Sequence, residues 1–164
     1  MINIGVIGTN FITEWLIAGA REVEGVNISA VYSRTEERAR EFADKFNIED
    51  IFTDLEEMAK SDLIDAVYIA SPNALHAEQA ILFLNHKKHV LGEKAFASNT
   101  KEADAMIKAA KENDVVLMEA MKTTLLPNLE LLKIIFIRLV RLESILQAIV
   151  NTLQDMINIS LEKC

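Results

Sequence analysis

The chain has one cysteine, Cys164, in 164 residues. An internal disulfide framework is therefore excluded, and the composition fits a reducing cytoplasm. Three histidines with Cys164 far away in sequence give no metal-ligand spacing, so no metal site is expected. No window of roughly eighteen uncharged apolar residues occurs. The nearest to one, in 131–164, is broken by Arg138, Arg141 and Glu143. The N-terminus, Met-Ile-Asn-Ile, lacks a positive segment leading into an apolar stretch and a small-residue cleavage site, so no signal peptide is expected. Positive charge is also short: 17 Lys and Arg face 25 Asp and Glu, a net charge of -8. Such a surface repels phosphates and anionic headgroups, which argues against nucleic acid and membrane as partners. Internal repeats, low-complexity linkers, a Walker-type loop and a Ser-His-Asp arrangement are all missing.

What is present is apolar and regularly patterned. Hydrophobic residues make up 51% of the chain, enough for the core of one domain, or of one domain with an appendage. Ile2 to Ile7 reads as a buried parallel strand ending at Gly8. Phe11 to Val23 carries Ile12, Trp15, Leu16 and Ala20 at helical spacing. Val26 to Tyr32 is a second strand. Thr35 caps a helix to Phe46, with Glu36 and Glu37 in its first turn. A brief strand at Ile51-Phe52 and a short helix from Asp54 to Ala59 follow. Ala66 to Ala70, Lys88 to Leu91 and Val115 to Glu119 read as further strands. Ala74 to Asn85 and Thr100 to Asn113 read as the helices between them. Strand alternating with helix predicts an α/β fold, a doubly wound parallel sheet with helices on both faces. Ligands of such sheets lie at the carboxyl ends of the strands.

The chemistry-bearing residues fall at those ends. Gly8-Thr9-Asn10-Phe11-Ile12-Thr13 joins the first strand to the first helix, where a dinucleotide fold has G-x-G-x-x-G. Only the first glycine is kept. Asn10 stands at the second and Thr13 at the third, and asparagine tolerates the positive φ such a turn uses. The helix N-terminus would offer backbone N–H groups to a pyrophosphate, although a tight turn without a ligand gives the same pattern. Ser33-Arg34 closes the second strand with no carboxylate to hold a ribose 2′-hydroxyl. Arg34, with Ser33 and Arg38, suits the 2′-phosphate of NADP better than NAD. The alternative is that Arg34 and Arg38 form surface pairs with Glu36, Glu37 or Glu41. Ser71-Pro72-Asn73 with His76 turns the fourth strand into a helix, as a ribose-wrapping loop or a plain capping turn does. Glu93-Lys94 ends the fifth strand. A lysine there is placed to polarise a hydroxyl or carbonyl, with Glu93 setting its position, unless the two form an ordinary surface pair. Glu119-Ala120 ends the sixth strand on the same side. His86 and His89 belong to the opposite end.

In order and spacing these motifs resemble the Gfo/Idh/MocA oxidoreductases, and among them the dihydrodiol dehydrogenase branch, over residues 1–130. The resemblance implies a Rossmann domain that binds NADP, with NAD possible, and a reversible oxidation of a sugar-like alcohol. It makes Lys94 the catalytic candidate, with Asn73 and His76 lining the cofactor. Family members have proline after the Glu-Lys pair; Ala95 stands here, which is expected to loosen that loop. The family's substrate domain and its second catalytic group have no counterpart in 131–164. A small sugar-like substrate is therefore expected only with a second domain, and this chain reads as truncated. In 131–164, Leu132, Ile135, Leu139, Leu142, Leu146, Ile149, Leu153 and Met156 recur at spacings of three and four, an amphipathic helical tail that would seat a homodimer. A frameshift is a second account of that segment, since back-translation from Leu139 read two nucleotides on resembles the start of the family's second domain. Three functions stay open: the oxidoreductase, a catalytically inactive nucleotide-binding or self-associating remnant, and an α/β domain without a ligand.

Overall fold

A computed structural model describes residues 1–121. They alternate β1 (Ile2–Ile7), α1 (Phe11–Ala20), β2 (Val26–Tyr32), α2 (Glu36–Phe46), β3 (Asp50–Phe52), α3 (Leu55–Lys60), β4 (Ala66–Ile69), α4 (His76–Asn85), β5 (His89–Gly92), α5 (Thr100–Asn113) and β6 (Leu117–Glu119). The six strands form one parallel sheet in the order β3-β2-β1-β4-β5-β6. The order reverses between β1 and β4. There the connections diverge to opposite faces and open a crevice at the strand ends.

The period-2 alternation of the strands builds two cores. Ile7, Val67, Ile69 and Val90 face α3, α4 and α5, where they meet Met58, Phe83, Leu84 and Met106. Val6, Val31 and Tyr68 point the other way, onto Ile17 of α1 and Phe42 and Ala43 of α2. Val6 pairs with Val31 on one side and Tyr68 on the other, so one apolar row crosses three strands. Near-continuous apolar strands are what a sheet covered on both faces requires.

Side-chain caps fix several helix starts. Asn10 Oδ1 accepts from the N–H of Ile12 and Thr13, Asp54 Oδ1 from Glu57 and Asn99 Oδ1 from Glu102. Left-handed residues Asn47 and Asp114 terminate α2 and α5. Several expected boundaries move. α1 stops at Ala20 rather than Val23, capped by Arg21. Thr35 occupies the cap position of α2 but its side chain makes no capping bond. A 3₁₀ turn, Asn73–Leu75, precedes α4, which begins at His76 rather than Ala74. β6 begins at Leu117 rather than Val115, because the Val115 N–H completes the end of α5 at Ala110 O. Trp15, expected on the apolar face of α1, is 68% exposed. Thr13 and Ile17 are the buried residues of that helix. The tail helix and the homodimer seam expected in 131–164 lie outside the described residues.

Candidate functional site

The switch point between β1 and β4 is built around Gly8. Its φ of +105° is a conformation that side-chain-bearing residues rarely adopt. A Cβ there would sit 2.6 Å from the carbonyl oxygen of Ala70, at the end of β4. The same oxygen accepts from Asn10 Nδ2 at 2.8 Å. Asn10 thus bridges the end of β4 to the first turn of α1, with Oδ1 on two N–H groups and Nδ2 on the neighbouring strand. Here the structure corrects two expectations. Asn10 holds φ -109° and not a positive value, so it acts by capping rather than by turning. The Ile12 N–H, expected to face a pyrophosphate, bonds to Asn10 Oδ1 at 2.9 Å. Thr13, at the third glycine position, is fully buried, and its Oγ1 has no partner among the described residues. Phe11 turns its ring outward onto Trp15, edge to face at 5.1 Å.

A cleft of about 270 Å³ opens at this point. Gly8, Thr9 and Asn10 form one wall; Ser33, Arg34 and Arg38 another; Ser71, Pro72, Leu75 and Gln79 the third. Three loops far apart in sequence therefore meet as expected. Ser33 is buried, whereas Arg34 and Arg38 are exposed. Neither arginine forms an ion pair among the described residues, so pairing with Glu36, Glu37 or Glu41 does not occur there. Asn73 is exposed on its 3₁₀ turn and does not line the cleft. Sequence reasoning missed Leu75 and Gln79. Their signal was positional only: one and two helical turns past the Ser71-Pro72 loop.

His76 departs most from expectation. It is 1% exposed and does not line the cleft. Its Nδ1 lies 2.9 Å from Ala95 O and its Nε2 2.8 Å from Ser71 O. It ties the loop after β4 to the loop after β5. Glu93 and Lys94 are likewise not the expected pair. Glu93 Oε1 accepts a 2.6 Å bond from the buried Tyr68 hydroxyl, and Oε2 meets the Lys94 backbone N–H at 3.3 Å. The Lys94 side chain is exposed at the strand-end face and forms no ion pair among the described residues. Burial, reinforced by the neighbouring Glu93 carboxylate, pushes the Tyr68 phenol far above its ordinary value. The loop at Ala95, expected to be loosened, is tied at two points: His76 Nδ1 lies 2.9 Å from the Ala95 carbonyl, and Glu119 Oε1 accepts from the Phe96 N–H at 2.8 Å.

These strand ends, in this topology, are those of a known family. Residues 2–121 match the Gfo/Idh/MocA model, described as the oxidoreductase family, NAD-binding Rossmann fold. The chain belongs to this family. It is 63% identical over 133 residues to a scyllo-inositol 2-dehydrogenase (NADP(+)) of Bacillus subtilis strain 168, covering 81% of this chain and 40% of that enzyme. It is 42% identical over 100 residues to a zebrafish (Danio rerio) trans-1,2-dihydrobenzene-1,2-diol dehydrogenase, covering 61% of this chain and 30% of the other. A 3-ketoreductase of Actinomadura kijaniata, crystallised with TDP-benzene and NADP in an open conformation, superposes with a TM-score of 0.74 at 29% identity. That superposition covers 80% of this chain and 42% of the reductase. The chain thus spans well under half the length of these Gfo/Idh/MocA relatives. Among the described residues, no helix is long and apolar enough to cross a membrane, and no cluster of His, Cys, Asp and Glu could hold a metal ion.

Proposed function

We propose that this chain carries the cofactor site of an NADP-dependent oxidoreductase that interconverts a secondary alcohol of a cyclitol or sugar-like molecule and its ketone. The convergence of the Gly8 turn, Ser33-Arg34 and Ser71-Pro72 on one cleft at the switch point carries the reading. A dinucleotide fits these residues. Only a glycine fits the turn at Gly8, where a Cβ would strike Ala70 O, and that turn sets the loop into α1 on the cleft wall, where its backbone N–H groups can meet a pyrophosphate. Arg34 and Arg38, free of carboxylate partners among the described residues, are available to a 2′-phosphate. NAD would enter the same cleft with less to hold its ribose. The names of two relatives, a scyllo-inositol dehydrogenase using NADP(+) and a dihydrodiol dehydrogenase, support the cofactor and the substrate class.

In this reading Thr9 to Phe11 present the amides left over once Asn10 has capped α1. Ser33 and Arg34 hold the ribose phosphate. When bound, the nicotinamide donates or accepts the hydride. Lys94 Nζ exchanges a proton with the substrate oxygen, and His76, Tyr68 and Glu119 hold the loop that presents it. Groups that orient the substrate belong to sequence outside residues 1–121. A second reading, a nucleotide-binding module without turnover of its own, draws on the 40% coverage of the inositol dehydrogenase. The apolar repeat of 131–164 adds self-association to either reading, and the cysteine usage adds a cytoplasmic setting.

Fluorescence titration of the purified chain with NADPH and, in parallel, NADH tests the proposal. Saturable binding with NADPH the tighter ligand is expected. Failure of both to bind would overturn it.

A further inference from the structure

We infer that Ser71 and Gln79 form a base-reading pair for the adenine of the cofactor, an inference that rests on the dinucleotide reading above. Gln79 is 6% exposed, yet its side chain lines the cleft. The Ser71 hydroxyl donates to Gln79 Oε1 at 2.6 Å. Among the described residues the amide nitrogen, Nε2, has no hydrogen-bond partner. Nε2 is not sealed from solvent: with Oε1 engaged by Ser71, it stands open as a donor that a ligand entering the cleft can use.

Position assigns the pair to the base. The Gly8–Asn10 wall suits phosphate and the Ser33–Arg34 wall suits ribose. The wall that remains presents the apolar surfaces of Pro72 and Leu75, with Ser71 and Gln79 as its polar groups. A planar purine lies against such a wall with one polar edge toward them.

The pair offers that edge one donor and one acceptor. With Ser71 donating, Nε2–H is the free donor and a lone pair of Ser71 Oγ the free acceptor. Turning the amide over exchanges the parts but keeps the sum: the serine hydroxyl then donates and Oε1 accepts. Adenine presents the complement, an acceptor nitrogen, N7, beside the donor 6-amino group. Hypoxanthine carries a carbonyl oxygen in place of that amino group, so its N7 edge is two acceptors. One of them would face the pair's own acceptor.

Competition titration of the whole chain with NADPH and reduced nicotinamide hypoxanthine dinucleotide phosphate tests this. NADPH is expected to bind about tenfold more tightly or better. In Gln79→Met, which keeps side-chain volume, and in Ser71→Ala, that preference is expected to fall to within about twofold through weaker NADPH binding, with little change for the hypoxanthine analogue. Circular dichroism and a melting curve check that each variant is folded. Equal affinity of the unaltered chain for the two dinucleotides overturns the base-reading pair while leaving the cofactor site intact. Binding of neither removes the cofactor reading and this inference together.

Discussion

At the scale of single residues, the proposal gives Arg34 the cofactor preference. Arg34→Asp is expected to raise the Kd for NADPH by about tenfold to a hundredfold, the value of one or two charge-assisted bonds, while changing NADH much less. Parallel titrations check it, and equal loss of both would remove Arg34 from the phosphate role. Gly8→Ala places a Cβ 2.6 Å from Ala70 O at a φ of +105°. It should cost about 1–3 kcal/mol in thermal denaturation and weaken NADPH binding as well. Tyr68 has a pH signature. Its phenol is pushed above the ordinary value of 10.0 in the folded chain, first by burial and then by Glu93. The unfolded chain therefore releases that proton first as pH rises. The contribution is fully present below about pH 10 and declines above it, by about 1.4 kcal/mol per pH unit. Tyr68→Phe should show a shallower alkaline limb in denaturant midpoints measured against pH. An unchanged limb would show that the phenol ionises as readily folded as unfolded. Arg34 was legible in the sequence because a strand end followed by an arginine and no acid is a local pattern. The surroundings of His76 were not, because one of its two partners is the Ala95 carbonyl, which no local spacing brings near.

At the scale of elements, the helix starts do more than begin helices. Asn10 and Asn99 cap α1 and α5 in the same way, but only Asn10 also bonds to a neighbouring strand, at Ala70 O. Asn10→Ala and Asn99→Ala should each lower stability by about 1 kcal/mol. Only the first is expected to weaken NADPH binding. A calorimetric melt of each variant beside a titration separates the two effects, and equal binding losses would argue against a switch-point role for Asn10. Existence and type of every strand and α-helix through residue 119 were readable from apolar alternation and cap residues. Their ends were read less well. Val115 was assigned to β6, whereas after the left-handed Asp114 the Val115 N–H bonds back to Ala110 O of α5. Trp15 was placed inward on helical spacing, yet the small buried Thr13 sets which face of α1 meets the sheet.

At the scale of the whole molecule, the order β3-β2-β1-β4-β5-β6 is what brings residues 8, 34 and 72 to one crevice. The chain spans 40% of the inositol dehydrogenase it matches, and binding and turnover are measured separately. The expected result is binding without turnover: NADPH absorbance appears no faster with NADP and scyllo-inositol than without protein, although the titration saturates. Measurable steady turnover would show that the residues beyond 121 complete a substrate site.

By itself the sequence determined the alternation of strand and helix, the strand ends on which Gly8, Arg34, Ser71 and Lys94 stand, and the want of a carboxylate at the end of β2. These are local properties, set by apolar period, cap chemistry and residue identity. Tertiary structure alone decided the hydrogen-bond partners. Tyr68 took the Glu93 carboxylate, His76 went to two backbone carbonyls, Glu119 anchored the loop that Ala95 was expected to loosen, and Gln79 entered the cleft. The reason is physical. A polar side chain that leaves water must find a partner, and which partner lies within 3 Å or so is fixed by strand order and register rather than by its neighbours in the chain.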